Sequence, residues 1–166
     1  MGLDAVIFCD CLEKGRLKSP HPFPNLLYIA PNGSPEIRSR SNARREQHDE
    51  WMHHACRHED MILAGDQLGT IGGIEFIRET LRRGVRRPAL QFPVLWDKVI
   101  YSGAHCGDHL RLEDVKRLHD ELSRLREVDF AGLSLKREDA SYLKQFQSIL
   151  ISIVKTALRV QKPIAF

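Results

Sequence analysis

The chain has 166 residues, 42% of them hydrophobic and 28% charged, with a formal net charge of +3. That length and balance exclude a disordered segment, and a chain this long needs neither a metal nor a disulfide merely to fold. The four cysteines, with no signal-peptide pattern at the start, are expected as reduced thiols in a cytoplasm.

Leu3 to Phe8 is a short run, apolar except for Asp4 and leading into Cys9. It reads as a strand buried on both faces. Pro20-His21-Pro22-Phe23-Pro24 can be neither helix nor central strand, because each proline lacks a donor and restricts the residue before it. A second strand is expected over residues 26–30, closed by the turn cluster Pro31-Asn32-Gly33-Ser34-Pro35. A domain boundary could fall only between Pro31 and Asn42, and nothing before it is large enough to fold alone. One domain over 1–166 is therefore expected.

From Asn42 to Asp60 the composition suits a helix with a thin apolar face of Trp51, Met52 and Ala55. Ile74, Ile77 and Leu81 predict a further helix, ended by Gly84 and Pro88. The stretch from Phe92 to Tyr101 is compatible with helix or strand. Val115, Leu118, Leu122 and Leu125 alternate steps of three and four, with Glu113 and Asp114 at the helix start. A last helix is expected from Glu138 to Val160, with a wide stripe of Leu143, Phe146, Leu150, Ile153, Ala157 and Val160. The longest apolar run, Ile149 to Val154, is far too short to span a bilayer. The fold expected is α+β: a small β-sheet packed against several α-helices, including a C-terminal antiparallel helix hairpin.

Chemistry-bearing residues concentrate in three places. Tyr101-Ser102-Gly103-Ala104-His105-Cys106-Gly107-Asp108 packs catalytic residue types between glycines, making Ser102, His105, Cys106 and Asp108 candidates for nucleophilic or acid–base work. Turn chemistry explains such a cluster equally well, because neighbours in one short segment usually point apart. His54 and His58 would share one face of a continuous helix; should the helix end near Ala55, Cys56 and His58 could converge instead. With His105 and Cys106 they would form a Cys₂His₂ shell suited to zinc, and Cys9-Asp10-Cys11 is a third source of thiols. No C-x-x-C pair is present to strengthen the metal reading, and a buried cysteine is often only a small core residue.

Gly69-Thr70-Ile71-Gly72-Gly73 opens a helix without a phosphate-binding fingerprint, and a tight turn admitting close packing explains it better. Arg38, Arg40, Arg44 and Arg45 form a basic patch diluted by Glu36 and Glu46, with no aromatics placed to stack on bases. That patch suits a protein partner better than nucleic acid or a membrane.

The Met1-Gly2-Leu3-Asp4 start, Phe8-Cys9-Asp10-Cys11 and the Tyr101–Asp108 segment together resemble a group of uncharacterised bacterial proteins. The resemblance implies a bacterial source and assigns no role to any residue. Two functions are therefore expected to compete. One is a non-catalytic protein-interaction module, immunity-like in kind, that uses the arginines. The other is a metal-assisted or thiol-dependent enzyme joining the His105-Cys106-Gly107-Asp108 loop to the Cys56/His58 region. The apolar last helix would also suit a homo-oligomer.

Overall fold

The computed structural model describes residues 2–103, 105, 107–130, 133 and 135–166. The first strand, β1 (Gly2–Phe8), is where the apolar start predicts it. Only one face is fully buried, through Leu3, Ala5 and Ile7; Asp4 is exposed, and Val6 and Phe8 are half-buried. This corrects the expectation of a strand buried on both faces. A short hairpin of β2 (Leu27–Ile29) and β3 (Pro35–Ile37) follows, with Ile29 paired to Pro35 across the turn.

Helix α1 (Asn42–His54) stops well short of Asp60, and Ala55 caps its end. The longest strand, β4 (Ile62–Thr70), lies antiparallel to β1, from Gly2 opposite Thr70 to Phe8 opposite Ile62. Then come α2 (Ile71–Gly84), the short α3 (Pro88–Gln91) and a π-helical turn over Leu95–Val99. The ambiguous segment is thus helical. Two-residue β5 (His109–Leu110), α4 (Leu112–Leu125), α5 (Arg137–Val160) and two-residue β6 (Ile164–Ala165) complete the chain. The main sheet is ordered β4-β1-β6-β5, with every pairing antiparallel.

The helices cover the buried face of β1, so the fold is α+β. Ile74, Ile77 and Leu81 of α2, the four-residue stripe of α4 and Leu143, Phe146, Leu150, Ile153 and Ala157 of α5 form one continuous core. Only Val160 of the predicted stripe on α5 is half-buried. Helices α4 and α5 pack against each other, and part of their connection lies outside the described residues. Glu121 of α4 is buried within this core, its carboxylate accepting the amides of Val94 at 3.0 Å and Leu95 at 2.8 Å. Those amides open the π-helical turn and have no partner of their own inside it.

The turn into α2 is packing rather than a ligand cradle. Thr70 caps the helix by accepting the Gly73 amide at 3.2 Å, and the Tyr142 hydroxyl of α5 lies against the same turn. A Cβ on Gly73 would run into that hydroxyl, so a side chain there must displace Tyr142. A second, smaller cluster sits apart at the Phe8 end of β1, made of Cys9, Cys11, Trp51, Ala55, Cys56 and Met61.

Candidate metal centre

Two chain segments cross at that smaller cluster. In the first, β1 ends and Cys9 follows, its amide donating to the Met61 carbonyl at 2.7 Å. The chain then turns tightly. Lys14 N–H donates to Asp10 O at 3.0 Å and Arg16 N–H to Cys11 O at 2.7 Å, which folds Cys11 back beside Cys9. In the second, α1 ends and releases Cys56 and His58. The Ala55 carbonyl accepts the Lys18 amide at 2.7 Å, tying the two segments together. Asp60 and Met61, with φ of 50° and 57°, complete the return into β4. Left-handed backbone at two successive non-glycine residues costs energy and persists only where the surroundings fix it.

The result is a cluster of Cys9, Cys11, Cys56 and His58 whose ligand atoms all lie within 4.8 Å of one another. Cys9 Sγ and Cys56 Sγ are 3.7 Å apart. His58 Nδ1 is 3.5 Å from Cys11 Sγ and 3.6 Å from Cys56 Sγ. A tetrahedral zinc with Zn–S of about 2.3 Å and Zn–N of about 2.0–2.1 Å has S···S edges of about 3.8 Å and S···N edges of about 3.6 Å. Three of the six edges therefore match those of a coordinated tetrahedron, and the Cys₃His cluster could hold a metal ion. The amide of His58 also donates to Cys56 Sγ at 3.4 Å, a bond that favours the thiolate.

The electrostatics suit the same role. Burial pushes the Cys9 thiol up to about 12 and raises Cys11 as well. Such thiols are poor free nucleophiles, but a coordinating metal deprotonates them outright. Burial, and then the neighbouring Arg57 charge, lowers the pKa of His58 and keeps its ring neutral, the form that binds metal. Asp10, between the two cysteines, pairs with Lys14 and Arg16 instead of entering the cluster. Its pKa is lowered, chiefly by the Lys14 hydrogen bond.

A chain of neutral imidazoles braces α1 beside this cluster. The Phe23 amide donates to His21 Nδ1 at 2.9 Å, so His21 carries its proton on Nε2. That Nε2 donates to His48 Nδ1 at 3.0 Å, which leaves His48 Nε2 to donate to the Pro35 carbonyl at 3.2 Å. Both rings are buried against Trp51, whose indole donates to Ser19 O at 3.2 Å.

The other candidate residues take different places. His54 remains on α1, and it is Cys56 and His58, released beyond the helix, that converge. Cys9 and Cys11 join them, while His105 stands on the Phe166 end of β6, its ring 4.8 Å from that of Phe166. Because Val6 pairs with Ala165 in an antiparallel register, Phe166 and Cys9 extend in opposite directions from that pair. Cys106 lies outside the described residues. His105 and Asp108 do approach, with Nδ1 3.5 Å from Oδ2, and Tyr101 donates its hydroxyl to the same carboxylate. Ser102 is half-buried at the head of that loop. Of the arginines, Arg38 lies over the Tyr28 ring, Arg44 over Phe23, and Arg45 donates to the Ser39 carbonyl; Arg40 is exposed.

Comparison with protein-family models, with curated proteins and with solved structures finds no match to this chain. Among the described residues, no helix is long and apolar enough to cross a membrane.

Proposed function

We propose that this protein is a zinc-stabilised binding module, in which Cys9, Cys11, Cys56 and His58 hold one structural zinc ion and the surface shaped around it engages a protein partner. The observation that supports this reading is the convergence of four ligand atoms within 4.8 Å, three of their six edges being 3.5–3.7 Å. Four protein ligands fill a tetrahedral zinc and leave no open position for a substrate, which is the mark of a structural site. All three thiols are at most 3% exposed, so the ion is shielded from solvent and substrate.

A groove of about 650 Å³ lies beside the cluster, between α1 and the β2–β3 hairpin. Tyr28, Ile37, Arg45, Asp49, His53 and Asp60 are on its walls, an apolar floor with charges of both signs around it. That mixture suits a folded protein surface, not a polyanion. Arg45 is the member of the arginine patch that faces this groove.

The test is cobalt substitution of the refolded, metal-free protein. Intense tetrahedral d–d bands with a thiolate-to-cobalt charge-transfer band are expected, displaced by one equivalent of zinc and lost in Cys56→Ser. A cobalt spectrum without thiolate character would overturn the assignment.

A further inference from the structure

The loop from Tyr101 to Asp108 holds an arrangement that the zinc cluster does not explain. The His105 ring is clamped between Tyr101, 4.7 Å away, and Phe166, 4.8 Å away, and its side chain is only 2% exposed. Its Nε2 lies 2.9 Å from the Val99 carbonyl. A carbonyl only accepts, so Nε2 donates to it, and Nδ1 is the nitrogen left to face the carboxylate. Among the described residues that nitrogen is buried with no hydrogen-bond partner, and it stands 3.5 Å from Asp108 Oδ2.

With Nδ1 unprotonated the two atoms are both acceptors, and a cation between them relieves their repulsion. The backbone enforces the meeting. Gly107, at φ +85°, turns the chain, its amide donates to Phe166 O at 3.0 Å, and Phe166 donates back to Asp108 O at 2.9 Å. Tyr101 donates to Asp108 Oδ2 and fixes the carboxylate. A histidine that gives its outer N–H to a backbone carbonyl, beside a hydrogen-bonded carboxylate, has the supporting contacts usual for metal ligands. His109 adds a second buried, unpartnered nitrogen at Nε2. It lines, with Asp97, Lys98, Tyr101 and Asp108, a surface depression of about 320 Å³. Lys98 is paired with Asp114 at 2.7 Å, so it does not neutralise the carboxylates here.

We propose that His105 Nδ1 and Asp108 Oδ2 bind a second divalent cation, with the remaining positions open to the depression. This site differs in kind from the thiol cluster: its ligands are nitrogen and oxygen, and it is incomplete without water or a ligand. A cation held in this way leaves sites free for an exogenous oxygen donor.

The probe is manganese, followed by electron paramagnetic resonance on the zinc-loaded protein, so that the thiol cluster is already filled. Wild type is expected to bind about one manganese per chain. Asp108→Asn should weaken that binding by about tenfold or more, and His105→Gln should abolish it. Both variants should keep the cobalt–thiolate spectrum of the Cys₃His cluster, which reports folding and separates this site from the first. Should His105→Gln fail to fold, the exposed Asp108→Asn still decides. Wild type that binds no manganese, zinc or nickel beyond the first equivalent would overturn the proposal. So would a nitrogen spectrum of His105 with protons on both ring nitrogens at pH 8, since a proton would then be the bridging cation.

Discussion

The two clusters of this protein reach order by different means. The large core joins α2, α4, α5 and one face of the sheet through aliphatic side chains at helical spacing, and apolar burial suffices to hold it. The small one has three cysteines, Trp51, Ala55 and Met61, and it stands where two segments cross without regular structure between them. That is a smaller apolar cluster set against the cost of ordering those turns and the left-handed backbone of Asp60 and Met61. On the proposed reading a coordinated ion offsets that cost, because its binding energy is folding energy for the segments it joins. On that reading apolar burial and metal coordination divide the chain between them.

The largest effect should come from removing one ligand of the small cluster. Cys56→Ser is expected to lose the metal and unfold residues 9–19 and 55–61 locally, while the far-ultraviolet helix signal stays near that of wild type. Loss of the whole helix signal at 25 °C would show that the two clusters are one cooperative unit. Next in size is Glu121→Ala in the large core. It leaves the Val94 and Leu95 amides buried without a partner, at about 1–3 kcal/mol each. Denaturant unfolding should register the sum, with the small cluster's metal content unchanged. Gly73→Ala forces Tyr142 away from α2 and should cost about 1–3 kcal/mol by overpacking. Tyr142→Phe removes a buried hydroxyl that has no partner, and it is expected to be neutral or slightly stabilising in the same assay.

Acid and base should also separate the two regions. Burial, and then the facing His48, lowers the pKa of His21. A base with a lowered folded pKa contributes stability above its ordinary range and loses it as the pH falls through that range. Protection of the Phe23 amide, corrected for intrinsic exchange, should therefore drop below about pH 6.5. Glu121 has the opposite sign. Burial raises its pKa against the two amides that favour the charged form. Its contribution is full below the ordinary glutamate range and declines as the pH rises through the raised value. Wild type measured against Glu121→Gln should show that decline as the pH rises above the ordinary glutamate range, and a flat difference would contradict it.

The same division governs what the sequence reveals. Helices α4 and α5 were legible because their apolar residues repeat at the helical period over many turns. Strand β4 was not, because Gly65, Asp66, Gln67 and Gly69 have poor strand preference and are ordered by pairing with β1. Two-residue β5 and β6 exist only through each other and β1. In the metal cluster the ligand types were readable from Cys9-Asp10-Cys11 and from Cys56 and His58. Their grouping was not, since it depends on α1 stopping at His54 and on the Cys9–Met61 backbone bond. His105 lies elsewhere for a similar reason: the positive φ of Gly107 and the pairing with Phe166 bring it beside Asp108, a meeting that spacing alone did not favour.

The most direct test of the central claim is residue-resolved hydrogen exchange on the zinc-loaded protein, before and after chelation. Loss of protection confined to residues 9–19 and 55–61, with the amides of α4 and α5 unchanged and full recovery on adding zinc, is the predicted result. Equal protection in both states would contradict it, because the small cluster would then stand without its ion.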